Sequence, residues 1–174
     1  MAKIRRYRRL CCGCMSAKAK RRLFRLSTSG KLRSMNNPYQ TGIKLWADWT
    51  AMWNGRPELA LELVAPRFVL HLPLPSPFDI AAVSNPVAVE RFIREARARF
   101  ERITFHYEAG PYVDTVAGVV AGPWWAESVV EGKPRLSSGM DTIAFCDGKI
   151  TEYWTLSKEV DSVGDWVKAL ARMT

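Results

Sequence analysis

The stretch Gly139–Trp154, GMDTIAFCDGKITEYW, constrains this chain more than any other. Two runs rich in β-formers flank Asp147-Gly148, a dipeptide that strongly favours a two-residue hairpin turn. With such a loop Asp141 faces Trp154, Ile143 faces Glu152 and Phe145 faces Ile150. Side chains paired across a ladder share a side of the sheet. One face then carries Gly139, Asp141, Ile143, Phe145, Ile150, Glu152, Trp154 and Leu156. The other carries Met140, Thr142, Ala144, Cys146, Lys149, Thr151, Tyr153 and Thr155. The first set is the more apolar, so Asp141 is expected among Ile, Phe and Trp. A carboxylate there must be paired, hydrogen-bonded or protonated, and such burial is one way a useful acid or base arises.

Upstream, residues 37–42 read as a turn, with Thr41 able to cap the helix that follows. Trp46, Trp49 and Trp53 recur at i, i+3 and i+7, one aromatic stripe on a helix that Asn54-Gly55 ends. Pro57 opens a second helix, PELALELV. Residues 67–72 read as a short strand stopped by Pro73, Pro75 and Pro77. A third helix follows Pro86, and Arg91, Arg94, Arg97 and Arg99 with their neighbouring glutamates read as its solvated face. Four strands follow, over 103–113, 116–130, 136–146 and 149–156, and Pro123 inside the second implies an edge or a bulge. Residues 161–172 read as a closing helix. The order α-α-β-α-β-β-β-β, with or without that last helix, predicts an α+β fold: an antiparallel meander with helices packed on one face.

The net charge of +9 hides an uneven distribution. Of the 26 Lys and Arg residues, 12 fall within residues 1–36, where no Asp or Glu occurs, leaving 14 against 17 acidic residues beyond. The expected division is therefore a basic tail, 1–36, and a mildly acidic domain, 37–174. Three readings of the tail stay open: charge-driven contact with nucleic acid or acidic lipid, a solvated disordered extension, or a start-site artefact with Met35 as the true start. Nucleic acid is not expected as a partner on any other ground. Cys11, Cys12 and Cys14 have no second Cys/His cluster to complete a zinc site, and only Cys146 belongs to the domain, a pattern expected of a reduced, cytoplasmic protein. No run of 18 apolar residues predicts a transmembrane helix, and the paired arginines are followed by no apolar segment of signal-peptide type.

Two segments, WNGRPELALELVAPRFVLHLP (53–73) and GMDTIAFCDGKITEYW (139–154), resemble the SnoaL-like branch of the nuclear transport factor 2-like superfamily. The likeness lies in an early helix leading to a Phe68-x-x-His71-x-Pro73 strand and in the late Gly139-x-Asp141 hairpin, and it spans about residues 40–157. It implies a strongly curved antiparallel sheet wrapped by helices into a cone with one deep pocket, and a homodimer formed through the outer face of the sheet. The superfamily contains polyketide cyclases, ketosteroid isomerase, epoxide hydrolases, dehydratases and non-catalytic modules, so the fold alone names no reaction.

Asp141 is the leading candidate for acid/base work, both from its place on the apolar face and because the resemblance gives that role to an Asp on the equivalent strand. The plainer alternative is a buried Asp held by a Trp N–H or a backbone amide. Glu152 is expected diagonally across the hairpin, about 7–8 Å away by ladder spacing, able to share acid and base roles or to pair with a helix cation. His71 alternates with Phe68, Leu70 and Leu72; the resemblance puts it near the pocket mouth as a helper, and the alternative is a hydrogen-bonded structural histidine. Trp49, Trp53, Trp124, Trp125 and Trp154 are expected as flat apolar walls suited to an aromatic or polycyclic ligand, the alternative being core filling. Tyr107 and Tyr153 are the available hydroxyls for an enolate oxygen. No phosphate loop, dinucleotide fingerprint, nucleophile elbow or metal-spaced cluster occurs, so no metal and no organic cofactor is expected. The expectation is a binder of a small apolar molecule that performs proton-transfer chemistry on a carbonyl compound, or else a non-catalytic binding or dimerisation module.

Overall fold

A computed structural model describes residues 37–73, 76–107 and 110–160. The basic tail (1–36) and the expected closing helix (161–172) lie outside these described residues. Helix α1 (Pro38–Trp53) starts one turn earlier than Thr41 suggests, because Asn37 is the cap: its side chain accepts from Tyr39 N at 3.0 Å and Pro38 takes the first helical position. PELALELV folds as a 3-10 turn (Pro57–Leu59) and a single helical turn, α2 (Ala60–Leu63), rather than a full helix. Strand β1 (Val64–His71) follows, then a 3-10 turn (Ile80–Ala82) and α3 (Pro86–Arg97), capped by Asn85. The remaining strands are β2 (Arg102–His106), β3 (Tyr112–Asp114), β4 (Val119–Val130), β5 (Lys133–Cys146) and β6 (Lys149–Glu159).

The six strands form one curved, unclosed sheet in the order β1-β6-β5-β4-β2, with β3 also on β4. The α+β class is as expected. The meander is not purely antiparallel, since β1 runs parallel to β6. That pairing needs a long crossover, which the helices and the remaining strands between them supply. Pro123 sits at neither an edge nor a bulge. β4 pairs with β3 through 119–121 and with β2 through 125–129, and Pro123 falls in the gap between, where a missing N–H costs no ladder bond.

The hairpin turn has two residues, as its sequence predicts: Cys146 pairs with Lys149, and both Asp147 and Gly148 have positive φ, 51° and 74°. The register beyond it differs from expectation. Phe145 pairs with Ile150 but Ala144 pairs with Glu152, leaving Thr151 as an extra residue on β6. The Thr151 hydroxyl donates to the Ala144 carbonyl at 3.2 Å. This bulge slides the rest of β6 by one residue, so Tyr153 and Thr155, not Glu152 and Trp154, share the face of Asp141.

The core lies between that inner face and helices α1 and α3. Trp46, Trp49 and Met52 of α1 and Val89, Phe92 and Ile93 of α3 are buried against Val120, Ile143, Ile150 and Tyr153. Gly122 lets Trp46 of α1 lie directly on β4: a Cβ there would meet the Trp46 ring at 2.7 Å.

Candidate active site

Asp141 is 2% exposed, and three donors reach it from three elements. Trp124 Nε1 on β4 donates to Oδ1 at 2.7 Å, the Tyr153 hydroxyl on β6 donates to Oδ1 at 3.0 Å, and Trp49 Nε1 on α1 donates to Oδ2 at 3.3 Å. The local sequence builds this. Trp124 pairs with Gly139, and only a glycine leaves room for the indole to lie across β5; a Cβ at 139 would come within 2.5 Å of its ring. The same ring then reaches the carboxylate two residues along the strand. Trp49 gets there because the aromatic stripe of α1 faces the sheet, its ring 4.5 Å from that of Tyr153.

Burial pushes the Asp141 carboxyl up to about 6, against the pull of Thr155, Trp124, Tyr153 and Trp49, which favour the charged form. The Tyr153 hydroxyl is raised well above its ordinary value, first by burial and then by the Asp141 charge. It therefore stays protonated and donates. Tyr107 is raised for the same two reasons; it packs edge-on against Trp46, and its hydroxyl is buried without a hydrogen bond of normal geometry although Thr50 is close.

Asp141 lines a cavity of about 200 Å3. Trp53, Phe92, Phe100, Phe105, Trp124 and Leu72 supply its apolar walls, and Tyr153, Thr155, Ser137, Ser157 and Arg97 its polar groups. Of the residues singled out by sequence, Asp141, Trp53, Trp124 and Tyr153 line the cavity. Trp49 stands behind Asp141 as a donor and does not line it. The others are elsewhere. Glu152, His71 and Trp154 lie on the opposite face of the sheet, where His71 Nε2 is 3.1 Å from Glu152 Oε2 and its ring stacks on Trp154 at 4.4 Å. The expected Asp141–Glu152 pair is thus replaced by a His71–Glu152 pair, a direct result of the Thr151 bulge. Trp125 alternates with Trp124, faces outward and stacks on His106 at 3.9 Å.

The sequence pattern misplaces Tyr153 and Arg97, both of which line the cavity: an unbulged hairpin puts Tyr153 on the opposite face. Arg97 was read as part of a solvated basic stripe, yet it lines the cavity at the last turn of α3 and donates to the Trp53 carbonyl. Its position directly after the buried Ala96, at the edge of the apolar stripe, was the available signal. The rest of that face is solvated as expected, with Arg94–Glu90 and Arg91–Glu95 pairs.

Among the described residues no cluster of His, Cys, Asp and Glu could hold a metal ion, and no helix is long and apolar enough to cross a membrane.

A helix-wrapped curved sheet with one carboxyl group deep in a largely aromatic cavity defines a class of small α+β pocket proteins. A family model described as the SnoaL-like domain matches residues 45–153, and the chain belongs to that family. Solved structures agree. A candidate polyketide cyclase from Acidithiobacillus ferrooxidans superposes with a TM-score of 0.57 at 18% identity, over 86% of this chain and 100% of that one. Wild-type IdmH from Streptomyces antibioticus, also a candidate polyketide cyclase, gives 0.53 at 21%, over 79% and 98%. A candidate isomerase from Bacillus subtilis gives 0.58 at 19%, over 70% and 89%. At these identities the likeness establishes the fold. No curated protein sequence matches the chain.

Proposed function

We propose that the cavity binds a small, largely apolar carbonyl compound and that Asp141 moves a proton on it, in an isomerisation, cyclisation or dehydration. The observation that carries this reading is a carboxyl pushed to about 6 at the wall of an aromatic cavity. Near neutral pH such a group is mostly ionised, yet basic enough to take a proton from the carbon next to a carbonyl and acidic enough to return it. Tyr153 holds Oδ1 by its hydroxyl and lines the same cavity, so it orients the base. The aromatic walls exclude water and stack on a planar ligand.

The test is deuterium exchange at the α-carbon of a small bicyclic ketone such as 2-tetralone, followed by proton NMR in heavy water. Wild-type protein should accelerate exchange and D141N should not. Binding without exchange would leave the second reading, a non-catalytic ligand-binding module. One observation favours that alternative: both oxygens of Asp141 already accept hydrogen bonds.

The same proposal takes the protein as a homodimer in the cytoplasm, with residues 37–174 as one domain separate from 1–36. Support for the dimer is the apolar group Val69, Trp154 and Leu156 exposed on the outer sheet face. Light scattering on the purified chain decides it, a monomer mass at micromolar concentration counting against. Cytoplasmic residence rests on cysteine usage, and fractionation of the expressing cells tests it. A chain begun at Met35 that fails to fold would overturn the domain division.

A further inference from the structure

The cavity has a second polar end that the proton-transfer reading does not use. Arg97 sits at its wall on the last residue of α3, half-buried, with one N–H donating to the Trp53 carbonyl. A guanidinium carries five N–H donors in a planar fork, so most of its capacity is left. Arg56, Arg91, Arg94 and Arg135 each pair with a glutamate, whereas Arg97 pairs with no carboxylate among the described residues. Burial without such a partner lowers its pKa, the mark of a cation short of a counter-charge. Beside it, the Trp53 indole lines the same cavity, and its Nε1–H is buried with no acceptor. A buried N–H of this kind is costly unless something supplies an acceptor, and the free N–H groups of Arg97 stand on the same cavity wall.

From these positions we infer that the ligand is an anion: a planar, mostly apolar carbonyl compound bearing a carboxylate, which Arg97 receives. The charge layout fixes the orientation. Asp141 repels the carboxylate, so the acid group goes to Arg97 and the reacting carbon faces Asp141. This inference rests on the proposed function for the ligand class and adds the charge and the residue that selects it. Arg is suited to the task because its fork matches a carboxylate bidentately and holds its charge at any working pH. The competing account is that Arg97 only caps the carboxy-terminal end of α1 through the Trp53 carbonyl.

The experiment compares 2-naphthoate with its uncharged analogue 2-naphthamide by tryptophan fluorescence and calorimetry at low salt. Wild-type protein should bind the acid about tenfold more tightly than the amide, the scale of one charge-assisted contact. R97Q should bring the acid down to the affinity of the amide while the amide still binds, which also shows that the cavity is intact. R97K should keep part of the preference, and serves alone if R97Q does not fold, equal weakening of acid and amide then overturning the inference. Equal binding of acid and amide by wild type, or equal weakening of both in R97Q, overturns the inference and leaves the proposed function standing. Failure of wild type to bind either probe removes the apolar-ligand reading and this inference with it.

Discussion

The indole of Trp124 lies across Gly139 and donates its N–H to Asp141 Oδ1 at 2.7 Å, so a glycine on one strand and a tryptophan on the next jointly set the state of a carboxyl group. The contact favours the charged form, while burial opposes it and wins. W124F should therefore raise the Asp141 pKa further above about 6 and cost about 1–3 kcal/mol, the scale of an unmet hydrogen bond to a buried polar group. A carbon-13 titration of the carboxyl and a urea unfolding curve check the two effects.

Gly139 should resist even alanine. The added methyl would meet the Trp124 ring at 2.5 Å, with the Leu156 carbonyl also in contact. G139A is expected to destabilise by about 1–3 kcal/mol through overpacking, and to displace the Trp124 N–H from Asp141. Thermal unfolding and the indole proton resonance of Trp124 report both.

Asp141 makes stability depend on pH with a definite sign. Its folded pKa of about 6 lies above the ordinary 3.8, so between those values the folded state binds the proton and the unfolded state does not. Its contribution is fully present below pH 3.8 and is lost as pH rises to about 6. The stability difference between wild type and D141N should fall across that window by about 3 kcal/mol, at 1.36 kcal/mol for each pKa unit. A flat difference from pH 4 to pH 7 would contradict the buried, raised carboxyl.

The outward His71–Glu152 pair should matter little to the cavity. Its side chains are 38% and 41% exposed, and pairs of that kind couple by about 0.2–1 kcal/mol. A double-mutant cycle with H71A and E152Q should return a coupling in that range, with ligand affinity unchanged.

Deleting Thr151 is the sharpest test of the register. The deletion removes the extra residue, so Ile150 and Glu152 keep Phe145 and Ala144 as partners and Tyr153 and Thr155 stay on the face of Asp141. The variant should fold with a loss of no more than about 3 kcal/mol. Loss of the cooperative unfolding transition in the deletion variant would contradict the assigned register.

The sequence by itself determined a good deal. Alternation over Gly139–Cys146 put Asp141 on the buried face whatever happened downstream, because its neighbours Ile143 and Phe145 lie on the same strand and the period of two is local. Asp147-Gly148 fixed the turn, since only residues tolerant of positive φ fit it. The stripe Trp46, Trp49, Trp53 fixed which side of α1 faces the sheet.

What the tertiary structure alone decided lies one strand or one helix away. The bulge at Thr151 has no local signal stronger than a β-branched residue in a strand, and its place is set by how β6 must pair with β5 and β1 at once. That single extra residue exchanged Glu152 and Trp154 for Tyr153 and Thr155 around Asp141. Arg97 likewise enters the site only because α3 packs where it does. Periodicity decides which face of an element a residue occupies, but only the packing of elements against one another decides which faces meet.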